Sequence, residues 1–218
     1  MLALWHLSFI SYEFVRINEF RIAYTGLNLF IIGGVILNKQ KRILIAEIIG
    51  VFFVFGLAFV FHFMYGWSGY NSFVGIFAAH NESVFEHTKI LFYPFIIYSI
   101  IEYFFLHISL KRFFISKAIP AISLIFMVII FHYTYTGIIG YHIGWVDILL
   151  TFIYTVLASF ISYRLLNSKS PLTKAFVPIL IAFIVTMIGM LIFTLFPPKI
   201  SLFYDSMHDT FGTVQTKE

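Results

Sequence analysis

The chain has 218 residues, 61% hydrophobic and 21% aromatic, against 14 lysines and arginines and 10 acids. With a mean hydropathy of +0.95, this composition excludes a water-soluble domain, because so few charged groups cannot cover so much apolar surface. The net charge of +4 is modest, so no nucleic-acid partner is expected, and the lack of cysteine excludes disulfides and thiolate metal ligands.

Apolar runs of about 20 residues, enough to cross roughly 30 Å of hydrocarbon, recur along the chain. The period-2 alternation of a membrane barrel is missing. The expected fold class is therefore all-α: a polytopic transmembrane helical bundle of about six spans, forming a single integral membrane domain over residues 1–218. In chain order, residues 1–21, with the segment "LALWHLSFISYEF", read as an interfacial helix or a distorted half-span, and no removable signal peptide is expected. A first span, barely long enough, covers 22–38, and a second covers 43–65. Residues 66–89 do not read as a span; their short apolar piece "SFVGIFAA" suits a re-entrant or interfacial segment. Further spans are expected over 90–108, 113–135, 146–166 and 175–196. Pro94 and Pro120 should kink the helices that carry them, and Pro197-Pro198 stops the last. A polar tail, 197–218, follows.

Lysine and arginine placement orients the bundle. Lys39, Lys41 and Arg42, then Lys111, Arg112 and Lys117, then Arg164, Lys169 and Lys174 fall at one side, the expected cytoplasmic side. With an even number of spans, both termini then face outward from a plasma membrane. On that map every histidine except His107, and every acid except Glu47 and Glu102, falls on or near the outer face. The sequence describes a bundle with an acid- and histidine-rich outer mouth.

The densest polar stretch is "HNESVFEHTK", residues 80–89. Ser83 and Glu86 fit a capping box at the start of a helix, the serine accepting from the Glu86 amide and the glutamate reaching back to the serine amide. Beyond capping, Glu82, Glu86 and Ser83 are candidate catalytic groups, and His87 is a candidate metal ligand. If Ser83 is the cap, His80 lies outside the helix; if helix begins earlier, His80, Ser83 and His87 share a face. A second constellation, "FHYTYTGIIGYHIGWVD", offers His132, His142 and Asp147 as further ligands. Its alternative reading is an interfacial aromatic belt with an acid at a helix N-terminus. Neutral imidazoles and carboxylates suit a divalent metal, zinc or iron, with an open position for water. No HExxH segment is present, which argues against a zincin-type protease. His62, near the outer end of a span, needs a partner at that depth. Lys89, Glu102, Asp205 and His208 complete the candidates. Glu102 is expected to lie within the membrane, with Tyr103 or His107 as local partners. Asp205 and His208 sit in a tail that could fold back over the mouth.

The stretch from "HFMYGWSGYN" through "HNESVFEHTKILFYPF" resembles a bacterial family of multi-pass membrane proteins of unknown function. Its core, Asn-Glu-Ser-x-x-Glu-His-x-Lys, here reads Asn81, Glu82, Ser83, Glu86, His87 and Lys89, and "FHYTYTGIIGYH" and "YDSMHDTFG" also fit. The resemblance implies a bacterial membrane location and no particular activity. Ser83 and His87, spaced S-x-x-x-H, are also similar to one element of the membrane metal-hydrolases that include alkaline ceramidases and progestin/adiponectin-type receptors. Those proteins also use a His-x-x-x-His pair in seven helices, which this chain lacks. The leading expectation is a metal-assisted hydrolase of a lipid or lipid-linked substrate, embedded in the bilayer. The rivals are a proton- or cation-coupled transporter or channel subunit, and a non-catalytic assembly partner. The sequence leaves the oligomeric state open.

Overall fold

In the computed structural model, residues 30–32 and 35–212 are described, with side chains from Asn38 onward. The described chain divides at Ile43–Leu44 into two compact units. The first holds strands β1 (Phe30–Ile32) and β2 (Val35–Leu37), an antiparallel pair in register Ile31↔Ile36. The helix expected over 22–38 is therefore corrected where the backbone is described. Ile31, Ile32, Val35 and Ile36 are β-branched and flank Gly33-Gly34, a pattern that favours a hairpin over a helix. The rest of that span, and all of 1–21, lie outside the described residues.

Helix α1 (Lys39–Trp67) is introduced by Asn38, whose Oδ1 accepts from the Lys41 amide at 2.9 Å. Its 29 residues are about 43 Å long, ample for a bilayer core. Then come the short α2 (Ser72–Phe77), α3 (Val84–Leu106), α4 (Leu110–Ile139), α5 (Gly144–Asn167) and α6 (Phe176–Leu195). Among the described residues, five helices are long and apolar enough to cross a membrane. The all-α bundle is thus present. The outward placement of both termini rested on six spans, and the described residues supply five.

The second unit is built around α3. Fifteen of its residues are buried, Phe92 completely, whereas α6 buries only Met190 and Thr194. The third span begins at Val84 rather than residue 90, because Ser83 caps the helix there and the polar stretch is its first turn. The α3 interior is packed with aromatic rings, including Phe92–Phe183 and Phe85–Phe203. The tail folds back as a small antiparallel pair, β3 (Tyr204–Asp205) and β4 (Thr210–Phe211).

Lipid offers no hydrophobic drive between helices, so close packing and polar ties hold the bundle. At Gly50 on α1, an added Cβ would lie 2.5 Å from the Tyr98 ring of α3. That close approach lets the Tyr98 hydroxyl donate to the Ala46 carbonyl. One turn further along α3, Lys117 of α4 forms an ion pair with Glu102 and donates to Glu47 of α1 at 2.8 Å. Ser162 of α5 donates to the same Glu47 oxygen at 2.5 Å. Four helices therefore share one buried cluster. It corrects two expectations: Glu102 takes Lys117 rather than Tyr103 or His107, and Lys117 is an interior cation rather than a loop charge that reports topology. His107 is exposed at the left-handed C-cap of α3.

Two predictions follow from these ties. Gly50→Val should displace Tyr98 and cost about 1–3 kcal/mol in detergent unfolding; unchanged stability would contradict the close packing. Lys117→Met leaves two buried carboxylates with no cation and should cost about 3–5 kcal/mol. The triple replacement of Glu47, Glu102 and Lys117 by apolar residues should recover much of that loss.

Candidate functional site

The residues of "HNESVFEHTK" separate onto two sides of the polypeptide. Ser83 Oγ accepts from the Glu86 amide at 3.4 Å, so the serine caps α3 as its spacing predicts. The reciprocal half of the box does not form. The Ser83 amide donates to Asn81 Oδ1 at 2.8 Å, and the Glu86 carboxylate turns inward. There Glu86 Oε2 accepts from Lys89 Nζ at 2.7 Å and from the His80 amide at 3.0 Å, with His80 Nδ1 at 3.1 Å. Lys89 spends its other donors on the Gly75 carbonyl at 2.8 Å and Thr194 Oγ1 at 3.3 Å. Glu86 and Lys89 are each no more than 1% exposed. This is a closed internal tie between α2, α3 and α6. Glu86 and Ser83, the expected catalytic groups, are bonded within the framework here, and Glu86 is tolerable there because it is paired and hydrogen-bonded.

Glu82 and His87 point the other way, into a cavity of about 450 Å³. His62 of α1 meets them there. His62 Nε2 lies 3.7 Å from Glu82 Oε1, and His87 Nε2 lies 3.6 Å from Glu82 Oε2. One ligand atom from each of the three residues lies within 4.8 Å of the other two. Such separations are too long for hydrogen bonds. They are close to the roughly 3.3–3.6 Å that separates N and O atoms bound tetrahedrally to one zinc ion at about 2.0–2.2 Å.

The tautomer of His87 is set by its neighbour. Nδ1 lies 2.9 Å from the Ser83 carbonyl, which can only accept, so Nδ1 carries the proton and Nε2 keeps its lone pair toward the cavity. His62 is held by ring contacts with Phe63 and His87, and its buried Nδ1 has no hydrogen-bond partner among the described residues.

The wall across the cavity repeats the theme. Asp147, in the first turn of α5, has His132 Nδ1 and His142 Nδ1 each at 3.8 Å, one beside each carboxylate oxygen. Tyr135 donates to Asp147 Oδ1 at 2.5 Å and itself accepts from the Ile143 amide at 3.3 Å. The structure thus brings His62, Glu82, His87, His132, His142 and Asp147 around one space. His80, Ser83, Glu86 and Lys89 lie behind its wall, and Glu102 belongs to the separate cluster with Lys117.

The tail supplies the cavity's cover through Ser201, Tyr204, Ser206 and Met207. Asp205 is fully buried and anchors that cover: its carboxylate accepts from the Glu82 amide at 3.1 Å, the Met207 amide at 2.9 Å and the His208 ring at 2.8 Å. Asn81 Nδ2 adds a bond to the Gly212 carbonyl at 2.8 Å. Asp205 and His208 therefore position Glu82 from behind rather than facing the cavity. The spacing of Tyr135 from Asp147 carried no distinctive sequence signal, and Asn81, though part of the Asn-Glu-Ser core, gave no sign of its bond to Gly212.

The fold and this site define a multi-pass helical membrane protein with an acid- and histidine-lined cavity. Residues 34–213 match the family of unknown function DUF6512, and the chain belongs to that family. Comparison with curated proteins and with solved structures returns no match.

Burial pushes the Asp205 carboxyl up, but the bonds from the Glu82 amide, the His208 ring and the Met207 and His208 amides outweigh it and hold the carboxyl below its ordinary value. A depressed value in the folded state stabilises the tail above the unfolded value of about 3.9 and is lost as pH falls through the lower folded value. Acidification below about pH 4 should therefore release residues 204–211, and Asp205→Ala should do so at neutral pH. Amide hydrogen exchange at Glu82, Met207 and His208 should quicken in the variant; unchanged protection would show that Asp205 is not the anchor.

Proposed function

We propose that His62, Glu82 and His87 form a divalent-metal centre, with zinc the best match to two imidazoles and a carboxylate. The observation that carries this reading is the convergence of their ligand atoms within 4.8 Å on the edge of a cavity. Three protein ligands leave a fourth position open, the arrangement of catalytic rather than structural zinc. A bound divalent ion supplies Lewis acidity, polarising a carbonyl or phosphoryl oxygen and making water nucleophilic near neutral pH.

On this reading the protein is a membrane-embedded, metal-assisted hydrolase of a lipid or lipid-linked substrate. Glu82 and the two imidazoles hold the ion, and the Ser83 carbonyl keeps His87 in the ligating tautomer. Asp147, oriented by Tyr135, stands across the cavity as the proton-handling carboxylate, with His132 and His142 beside it. Phe59, Val84, Ile90 and Val128 give the same space apolar walls suited to an acyl chain. The basic residues Lys111, Arg112, Arg164, Lys169 and Lys174 are at the opposite helix ends, which supports placing the cavity at the outer face of a bacterial plasma membrane.

A second reading, proton- or cation-coupled transport, rests on the Glu47–Lys117–Glu102 cluster, which a hydrolase confined to the outer mouth does not need. Loss of pH-dependent uptake in Glu102→Gln vesicles would favour it.

Protein purified in mild detergent, without chelator or affinity-tag metals, should contain close to one equivalent of zinc, iron or manganese. His87→Ala and His62→Ala should each lose it, and Glu86→Gln should keep it if it folds. A metal-free wild type that also takes up no added zinc would remove the proposal.

A further inference from the structure

Resting on the hydrolase reading, we infer that the substrate is an electrically neutral acyl ester or amide lipid, admitted sideways from the bilayer between α1 and α5, rather than a phosphate-bearing lipid.

The first support is the charge of the cavity. Among the described residues its lining contains Glu82, Asp147 and four histidines but no lysine or arginine. Two carboxylates balance the charge of one divalent ion, so no lysine or arginine among the described lining residues is left for a phosphate, whose recognition relies on arginine, lysine or further metal ions. Lys89 is carried by the same helix as His87, but it is closed off by Glu86, the Gly75 carbonyl and Thr194. A phosphate seated in the cavity would face Asp147 uncompensated. What the lining offers instead is hydroxyl groups, on Tyr133, Ser201, Tyr204 and Ser206, which suit a glycerol or amide head.

The second support is the shape of the wall. Phe59 and Phe63 on α1 and Ile148 on α5 line the cavity yet remain 39%, 50% and 50% exposed. Closer to the middle of α1, Phe55 stacks edge-on against Phe152 of α5 at 5.2 Å and closes the two helices together. The cleft above that contact is bordered by apolar side chains on helices that face hydrocarbon, so an acyl chain reaches the site without passing through water.

The step that fits is hydrolysis at the acyl carbonyl. The hydroxyl of water bonds to the carbonyl carbon, the acyl C–O or C–N bond breaks, and the second proton of water, taken up at Asp147 Oδ2, passes to the leaving alcohol or amine. The products are a fatty acid and the neutral head.

The test uses the full-length protein in mixed micelles with its metal content measured, and follows fatty-acid release from four probes. These are a long-chain diacylglycerol, a long-chain N-acyl amine, phosphatidic acid with the same chains, and a soluble short-chain ester. At least one neutral long-chain probe should be cleaved ten times faster than phosphatidic acid, and faster than the short-chain ester, which lacks a reason to enter through the cleft. Ser206→Lys, which adds a cation at the rim, should raise the phosphatidic acid rate relative to the neutral one. Equal or faster cleavage of phosphatidic acid in a metal-loaded wild type overturns the substrate class and leaves the hydrolase reading standing. If no probe is cleaved, the hydrolase reading fails, and a photoreactive neutral ether lipid decides the rest. Labelling at Phe59, Phe63 or Ile148 in preference to a phosphate analogue supports neutral-lipid binding at this cleft; no such preference overturns it.

Discussion

The turn that carries Glu82 and the first turn of α3 that carries His87 depend on the buried pairing of Glu86 with Lys89. A carboxylate and an ammonium without water are each costly by several kcal/mol, and the cost is met only when all their hydrogen-bonding capacity is used. Lys89 meets this with three acceptors, and Glu86 Oε2 takes the His80 amide as well as Lys89. The pair fixes the turn from His80 to Ser83 against α2 and α6. With that turn set and Ser83 at the N-cap, Glu82 and His87 have only the cavity side left to occupy.

The same solvent logic runs through the molecule. Hydrocarbon tolerates charged side chains only in pairs or around water-filled space. The Glu47–Lys117–Glu102 cluster meets the first condition toward one end of α3, and Glu86–Lys89 meets it toward the other. Glu82 and Asp147 satisfy neither by pairing with lysine. Each instead has two imidazoles at 3.6–3.8 Å and faces the cavity.

Much of this was legible from composition and spacing. Run length gave five of the helices, and the Ser83 cap, the gathering of most of the described histidines and acids at one end, and the grouping of Asp147 with His132 and His142 followed from simple rules. The antiparallel pairing of Phe30–Ile32 with Val35–Leu37 was misread as helix because apolar content outweighed the Gly33-Gly34 signal in the sequence. The inward turn of Glu86 was not legible, because the capping-box pattern shows that a glutamate is near a helix start without showing which way it turns. Its partners, the Gly75 carbonyl and Thr194, are far away in the chain, and no local pattern reports them. Lys117 was counted as a loop charge for the same reason: its carboxylates come from α1 and α3. His62 was legible as a histidine in need of a partner, but its convergence with Glu82 and His87 is a tertiary fact.

The account stands or falls on the three-residue centre, and X-ray absorption at the zinc edge on zinc-loaded protein addresses it most directly. The predicted spectrum has a first shell of nitrogen and oxygen at about 2.0–2.1 Å, with the outer-shell scattering of two imidazoles, and this signal disappears together with the bound zinc in His62→Ala and in His87→Ala. A spectrum with no histidine scattering, or one unchanged by His62→Ala and His87→Ala alike, would contradict it.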